Sequence, residues 1–117
     1  MRDIDIPSAW LRGFLDVCLL GMLRQGEAYG YELMGRLDEH GIGPVPGGSL
    51  YPALLRLEKR GDVASEWRAG DGGPGRKYYT LTAQGRATLK LDVQAWRAFS
   101  GTVDALLSDT GREVAPR

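Results

Sequence analysis

The sequence predicts a mainly α fold with one small β-hairpin, a winged helix-turn-helix followed by a long C-terminal helix. Three observations predict it. Residues 47–61 read Gly-Gly-Ser-Leu-Tyr-Pro-Ala-Leu-Leu-Arg-Leu-Glu-Lys-Arg-Gly, a short helix with two chemically opposite faces. In residues 63–81, two segments of strand character flank a glycine-rich tip. Between Leu89 and Leu106, apolar residues recur in steps of four, three, three, four and three, the spacing of a short coiled-coil seam.

Taken in order, residues 1–7 form a loose N-terminal arm ending at Pro7. Ser8 is expected to cap a first helix over 8–23, where Leu11, Phe14, Leu15, Val17, Cys18 and Met22 keep helical spacing. A second short helix covers 29–37, with Leu33 and Leu37 one turn apart and Met34 beside them, and His40 closes it. Residues 41–48, Gly-Ile-Gly-Pro-Val-Pro-Gly-Gly, are expected to form a turn or loop. In the third helix Ser49 is the expected N-cap, Pro52 falls in the first turn, and Gly61 supplies the stop. Leu50, Leu54 and Leu57 line its inner face, and Ser49, Pro52, Arg56 and Lys59 its outer face. Small, polar and basic groups pointing outward suit a DNA major groove. Strands over 63–69 and 77–81 flank the flexible tip 70–76. Thr82 is the expected cap of a helix running over 83–107. The chain divides into a DNA-binding unit (1–82), a dimerisation helix (83–107) and a frayed tail (108–117).

These residues resemble the PadR family of bacterial transcriptional regulators. The resemblance rests on Tyr29-Gly30-Tyr31-Glu32-Leu33, on Gly48-Ser49-Leu50-Tyr51-Pro52-Ala53-Leu54, and on Arg56-Leu57-Glu58 with Gly61. It continues through Arg76-Lys77-Tyr78-Tyr79-Thr80-Leu81-Thr82 with Gly85. Each segment is weak alone, and their order and spacing make the signal. The resemblance implies a winged-helix dimer that represses genes and often answers to a small molecule. The short C-terminal part looks like the compact branch, which has a single dimerisation helix and whose members can bind planar drugs between subunits.

Composition sets further bounds. With 117 residues there is room for one modest core, which gains from oligomerisation. The lone cysteine, Cys18, excludes an internal disulfide framework, and no apolar run is long enough to span a bilayer. A cytoplasmic, nucleoid-associated protein with no membrane partner is therefore expected. The 15 basic and 15 acidic residues cancel, but they are unevenly spread. Residues 1–46 carry four basic and seven acidic groups, whereas residues 47–80 carry six basic and four acidic ones. A dimer would double that small basic excess.

Enzyme chemistry is not expected. Cys18 lies on an apolar helix face without a second sulfur or a nearby histidine, and His40 is the only histidine. No metal or cofactor is implied. The glycines of 70–75 lead into a strand rather than a helix, so they do not form a phosphate loop.

The expected partners are double-stranded operator DNA and a second copy of the chain. Ser49, Tyr51, Arg56 and Lys59 are expected to approach DNA from the third helix, with Arg56 the candidate for guanine readout. Tyr31 would reach a phosphate, and Arg76 and Lys77 would grip from the wing. Leu11, Phe14, Leu89, Val93, Trp96, Phe99, Val103 and Leu106 are expected at a twofold interface. There two copies of Trp96, with Leu15 and Phe99, could sandwich a planar aromatic or cationic effector. Trp10 and Trp67 are expected in the core. The alternative is a winged-helix protein-interaction module without DNA binding, favoured by the near-zero net charge.

Overall fold

The computed structural model describes residues 6–70 and 72–108. Residues 1–5 of the expected arm (1–7) and 109–117 of the expected tail (108–117) lie outside those residues, as does Asp71. The elements run α1 (Ser8–Leu23), β1 (Ala28–Tyr29), α2 (Gly30–Glu39), α3 (Gly47–Lys59), β2 (Val63–Gly70), β3 (Gly73–Leu81) and α4 (Ala83–Ser108). The order is that of a winged helix-turn-helix with a long terminal helix, as the sequence predicts.

One core unites these elements. Leu19, Leu20, Leu33, Leu50, Leu54 and Leu57 are fully buried, joined by Leu23, Leu37, Val45, Val63, Tyr79 and Leu81. Removing such side chains from water is the main favourable term in folding. The predicted apolar face of α1 is displaced toward its C-terminal end. Leu19, Leu20 and Leu23 are the deepest residues there, whereas Leu11, Val17, Cys18 and Met22 pack at the core's edge.

Helix ends follow local chemistry. α2 starts where the Glu32 carboxylate accepts a hydrogen bond from the Tyr29 N–H at 3.2 Å. It stops at His40, followed by Gly41 at φ +81°. The Gly41 N–H donates to the Asp38 carbonyl at 2.9 Å and the Ile42 N–H to the Leu37 carbonyl at 2.8 Å, a Schellman motif. α3 stops the same way. Gly61 adopts φ +86°, its N–H donates to the Glu58 carbonyl, and the Asp62 N–H donates to the Leu57 carbonyl, both at 3.0 Å.

The sheet is three-stranded and antiparallel in the order β1-β3-β2. The two-residue β1 was not foreseen, because so short a strand leaves no alternation to read. It pairs Ala28 with Tyr79 and Tyr29 with Tyr78, fastening the start of α2 to the wing. The wing strands reach further than expected, to Gly70 and Gly73, so most of the predicted flexible tip is paired strand. The expectation of a core position for Trp10 and Trp67 fails, as they are 67% and 70% exposed. Trp67 shares a face of β2 with buried Val63, but the strand runs beyond the end of the core, so correct alternation still leaves the indole in solvent.

Candidate nucleic-acid interface

The faces of α3 separate as its sequence requires. Leu50, Ala53, Leu54 and Leu57 are fully buried, while Ser49, Pro52, Arg56 and Lys59 are exposed. Its start differs from the expectation. Pro46 is the N-cap, Gly47 and Gly48 already belong to the first turn, and Ser49 lies inside the helix. The Ser49 and Leu50 N–H groups both donate to the Pro46 carbonyl, at 2.9 and 3.0 Å, so a serine cap is not needed. Pro52 consequently sits in the second turn. The acceptor its missing N–H deprives is the carbonyl of exposed Gly48, which water can satisfy.

The basic groups of the head differ in how free they are. Arg56 donates to both Asp16 oxygens, from Nη2 at 2.9 Å and from Nε at 3.4 Å. That pair is the first cause holding the Arg56 guanidinium even more firmly protonated than usual. Arg60 lies 3.9 Å from Asp16 and 3.3 Å from Asp62. Arg68 is hydrogen-bonded to Glu27 and to Glu66, and its guanidinium lies 4.5 Å from the Tyr78 ring centroid. Among the described residues, Lys59 and Arg76 have no carboxylate partner within 4.0 Å. Arg76 stacks 4.6 Å from the Tyr29 ring centroid. Lys77 is half-buried, 3.5 Å from Glu58. Arg68 and Arg76 face each other across the ladder, a repulsive placement relieved because each turns to its own partner.

Tyr31 and Tyr51 flank these cations, 73% and 46% exposed. The Tyr51 ring lies against the Gly30 backbone. A Cβ at Gly30 would stand 2.5 Å from that ring, which explains the glycine in Tyr29-Gly30-Tyr31. The structure thus gathers Tyr31, Tyr51, Arg76 and Lys77 around one groove of about 780 Å³ between α3 and the wing. Ser49, Arg56 and Lys59 lie outside its lining.

Behind α3 stands a joint that the sequence did not reveal. The Asp62 side chain, only 3% exposed, accepts hydrogen bonds on Oδ1 from Thr88 Oγ1 at 2.8 Å and from Gln84 Nε2 at 3.1 Å. Its backbone carbonyl accepts from the Thr82 N–H at 3.1 Å. The Thr82 hydroxyl oxygen accepts from the Gly85 N–H at 2.9 Å, fulfilling its expected cap, and the hydroxyl donates to the Gly61 carbonyl at 2.6 Å. A Cβ at Gly85 would collide with the Asp62 carbonyl oxygen. The end of α3 is therefore bolted to the start of α4.

The expected interface and effector residues split into two groups. Phe14, Trp96 and Phe99 form an aromatic cluster, with Phe14 packed edge-on against Trp96 at a centroid distance of 4.8 Å. Trp96, Phe99 and Leu106 are 44%, 54% and 74% exposed, and Val103 is half-buried. Leu89, by contrast, is buried in the chain's own core, and so is Leu15, which therefore does not face a ligand pocket. Leu11 and Val93 pack at the edge of that core. Cys18 is half-buried, and burial pushes its thiol pKa up. His40 is exposed. Among the described residues no group of three or more His, Cys, Asp or Glu could hold a metal ion, and no helix is long and apolar enough to cross a membrane.

Similarity to known proteins agrees with this geometry. Residues 19–91 match the profile of the transcriptional regulator PadR-like family. The structure of a PadR-like transcriptional regulator from Bacillus cereus is 42% identical, with 83% of this chain and 94% of that one aligned at a TM-score of 0.74. A PadR family transcriptional regulator from Eggerthella lenta is 40% identical, covering 86% and 88% at a TM-score of 0.76. The transcriptional regulator Rv3488 of Mycobacterium tuberculosis is 44% identical over 69 residues, 59% of this chain and 63% of that protein. The chain belongs to the PadR-like family of transcriptional regulators.

Proposed function

We propose that this chain is a sequence-specific DNA-binding repressor acting as a homodimer. One observation carries the reading. The outward face of α3 holds small, polar and basic side chains, beside a wing whose Arg76 has no anionic partner among the described residues, in a chain of this family. A helix with that face enters the major groove, and a wing grips the flanking backbone. Ser49, Tyr31 and Tyr51 would hold phosphates, which sets register. Lys59, Arg76 and Lys77 would supply charge. The two-pronged pair with Asp16 weighs against Arg56 as a reader of guanine and favours a role in positioning α3.

The exposed aromatics of α4 support self-association, since Trp96 and Phe99, with half-buried Phe14 of α1 packed against them, make an apolar surface. A twofold dimer would present two α3 helices to half-sites one DNA turn apart, ~34 Å. The same cluster supports the finer proposal that a planar effector between two Trp96 side chains releases DNA. A ligand regulates only through unequal affinity for the two states.

The test is a salt titration of binding to DNA from the chain's own promoter. Log affinity should fall linearly with log salt, with a slope of roughly 0.9 per neutralised phosphate. Absence of binding at low salt would leave the interaction-module alternative. Unchanged operator affinity under saturating planar ligand would remove the effector from the proposal.

A further inference from the structure

The groove between α3 and the wing has apolar walls that phosphate contacts do not explain. Trp67 on β2 is 70% exposed and Leu55 on α3 is 48% exposed, and both line it with Tyr31 and Tyr51. Exposed apolar residues scattered singly need no explanation, but Trp67 and Leu55 line the same groove, and unlike the two tyrosines they carry no hydroxyl for a phosphate. Trp67 stands directly across the ladder from Lys77 and near Gly75, where an added Cβ would lie 3.7 Å from the indole. That Cβ would also stand 2.9 Å from the Arg68 carbonyl oxygen, so the close approach of the two strands accounts for the glycine. The groove's carboxylate, Glu58, is occupied by the Ser65 hydroxyl and by Lys77. Among the described residues, Arg76 remains the cation in the lining without a carboxylate partner.

We propose that Trp67 and Leu55 form an apolar clamp on the deoxyribose of one DNA strand lying between α3 and the wing. The inference rests on the DNA-binding reading and deepens it. In a duplex, a sugar–phosphate strand separates the major groove from the adjacent minor groove. When α3 occupies the major groove and the wing reaches the minor groove beside it, that strand must pass between them. Such a strand offers alternating anions and apolar sugars. The groove answers with Arg76 and two phenols for the anions, and with an indole and an isobutyl group for the sugars. Arg76 holds a phosphate by charge and depends on salt, whereas the phenols act as neutral donors and the clamp works by excluding water.

The experiment compares the full-length parent with Trp67→Ala, Trp67→Phe and Leu55→Ala on a fluorescein-labelled duplex selected in vitro by the parent, across a range of salt. Trp67→Ala should weaken binding by roughly ten-fold at every salt, the factor that corresponds to re-exposing about 50 Å² of apolar contact. The plot of log affinity against log salt should stay parallel to the parent's, because no counterion is released or retained. Trp67→Phe should restore most of the loss, and Leu55→Ala should show a smaller parallel drop. All variants should keep the parent's melting temperature, since both side chains face solvent. Parent-like affinity in both alanine variants overturns the clamp while leaving DNA binding intact. A changed slope also overturns it, because the residue would then act through charge. A parent that selects no duplex removes the DNA reading and the clamp together.

Discussion

Asp62→Ala tests whether α3 and α4 are held as one body. The carboxylate is nearly fully buried, takes two neutral donors from α4 on Oδ1, and faces Arg60 on Oδ2. Breaking a buried ion pair by removing one partner costs ~3–5 kcal/mol when the remaining charge is also buried. Arg60 is half exposed and can rehydrate, and the Gln84 amide keeps the Arg60 carbonyl as an acceptor, so the penalty falls mainly on the orphaned Thr88 hydroxyl. Leaving that hydroxyl without its acceptor puts the expected loss at about 2 kcal/mol. Asp62→Asn keeps the Oδ1 acceptor and should cost about 1 kcal/mol. Urea unfolding at one fixed protein concentration reads both values, with the slope m unchanged if only the native joint is weakened. In the proposed dimer, a loosened joint should also let the two α3 helices adapt to altered half-site spacing, narrowing the affinity gap between correctly and wrongly spaced duplexes. Asp62→Ala within ~0.5 kcal/mol of the parent, the range of ordinary surface substitutions, would refute the reasoning.

Phe99→Lys places a charge in the aromatic cluster of the proposed dimer, and sedimentation should show a folded monomer where the parent sediments as a dimer if the proposal holds; an unaltered dimer moves the interface elsewhere. Deleting residues 88–117 is a poorer probe, because it also removes buried Leu89 and the Asp62 partner Thr88. Asp16→Ala should free Arg56 and raise non-specific DNA affinity with a steeper salt dependence, measured by fluorescence anisotropy. The hydrogen bond from Arg68 lowers the Glu27 pKa in the folded state, so this pair contributes above the ordinary carboxylate range and is lost as pH falls through the lowered value. The acid limb of a melting-temperature profile should therefore lose part of its slope in Glu27→Gln. Burial raises the Cys18 pKa, so the native thiol should react with iodoacetamide more slowly than the same thiol in urea, and equal rates would contradict its packing.

Sequence alone determined the elements whose residues interact with near neighbours. The leucine spacing of α3, the glycine at Gly61 and the Thr82 cap each act within about one turn of helix, so spacing and turn chemistry suffice to read them. The seam of α4 was equally legible, and its C-terminal half is exposed as an unpartnered face should be. What the sequence left open is wherever a residue's role depends on the far side of the fold. Ser49 reads as a cap until Gly47 and Gly48 continue the helix back to Pro46. Arg56 reads as a free base reader until α1 brings Asp16, forty residues away, against it. Trp67 reads as core until the strand outruns the core, and Leu89 reads as interface until it is spent on the interior of its own chain. Asp62 carries no local signal, since its donors lie more than twenty residues downstream. Local periodicity fixes which residues share a face, whereas tertiary packing decides whether that face meets the core, a partner or solvent.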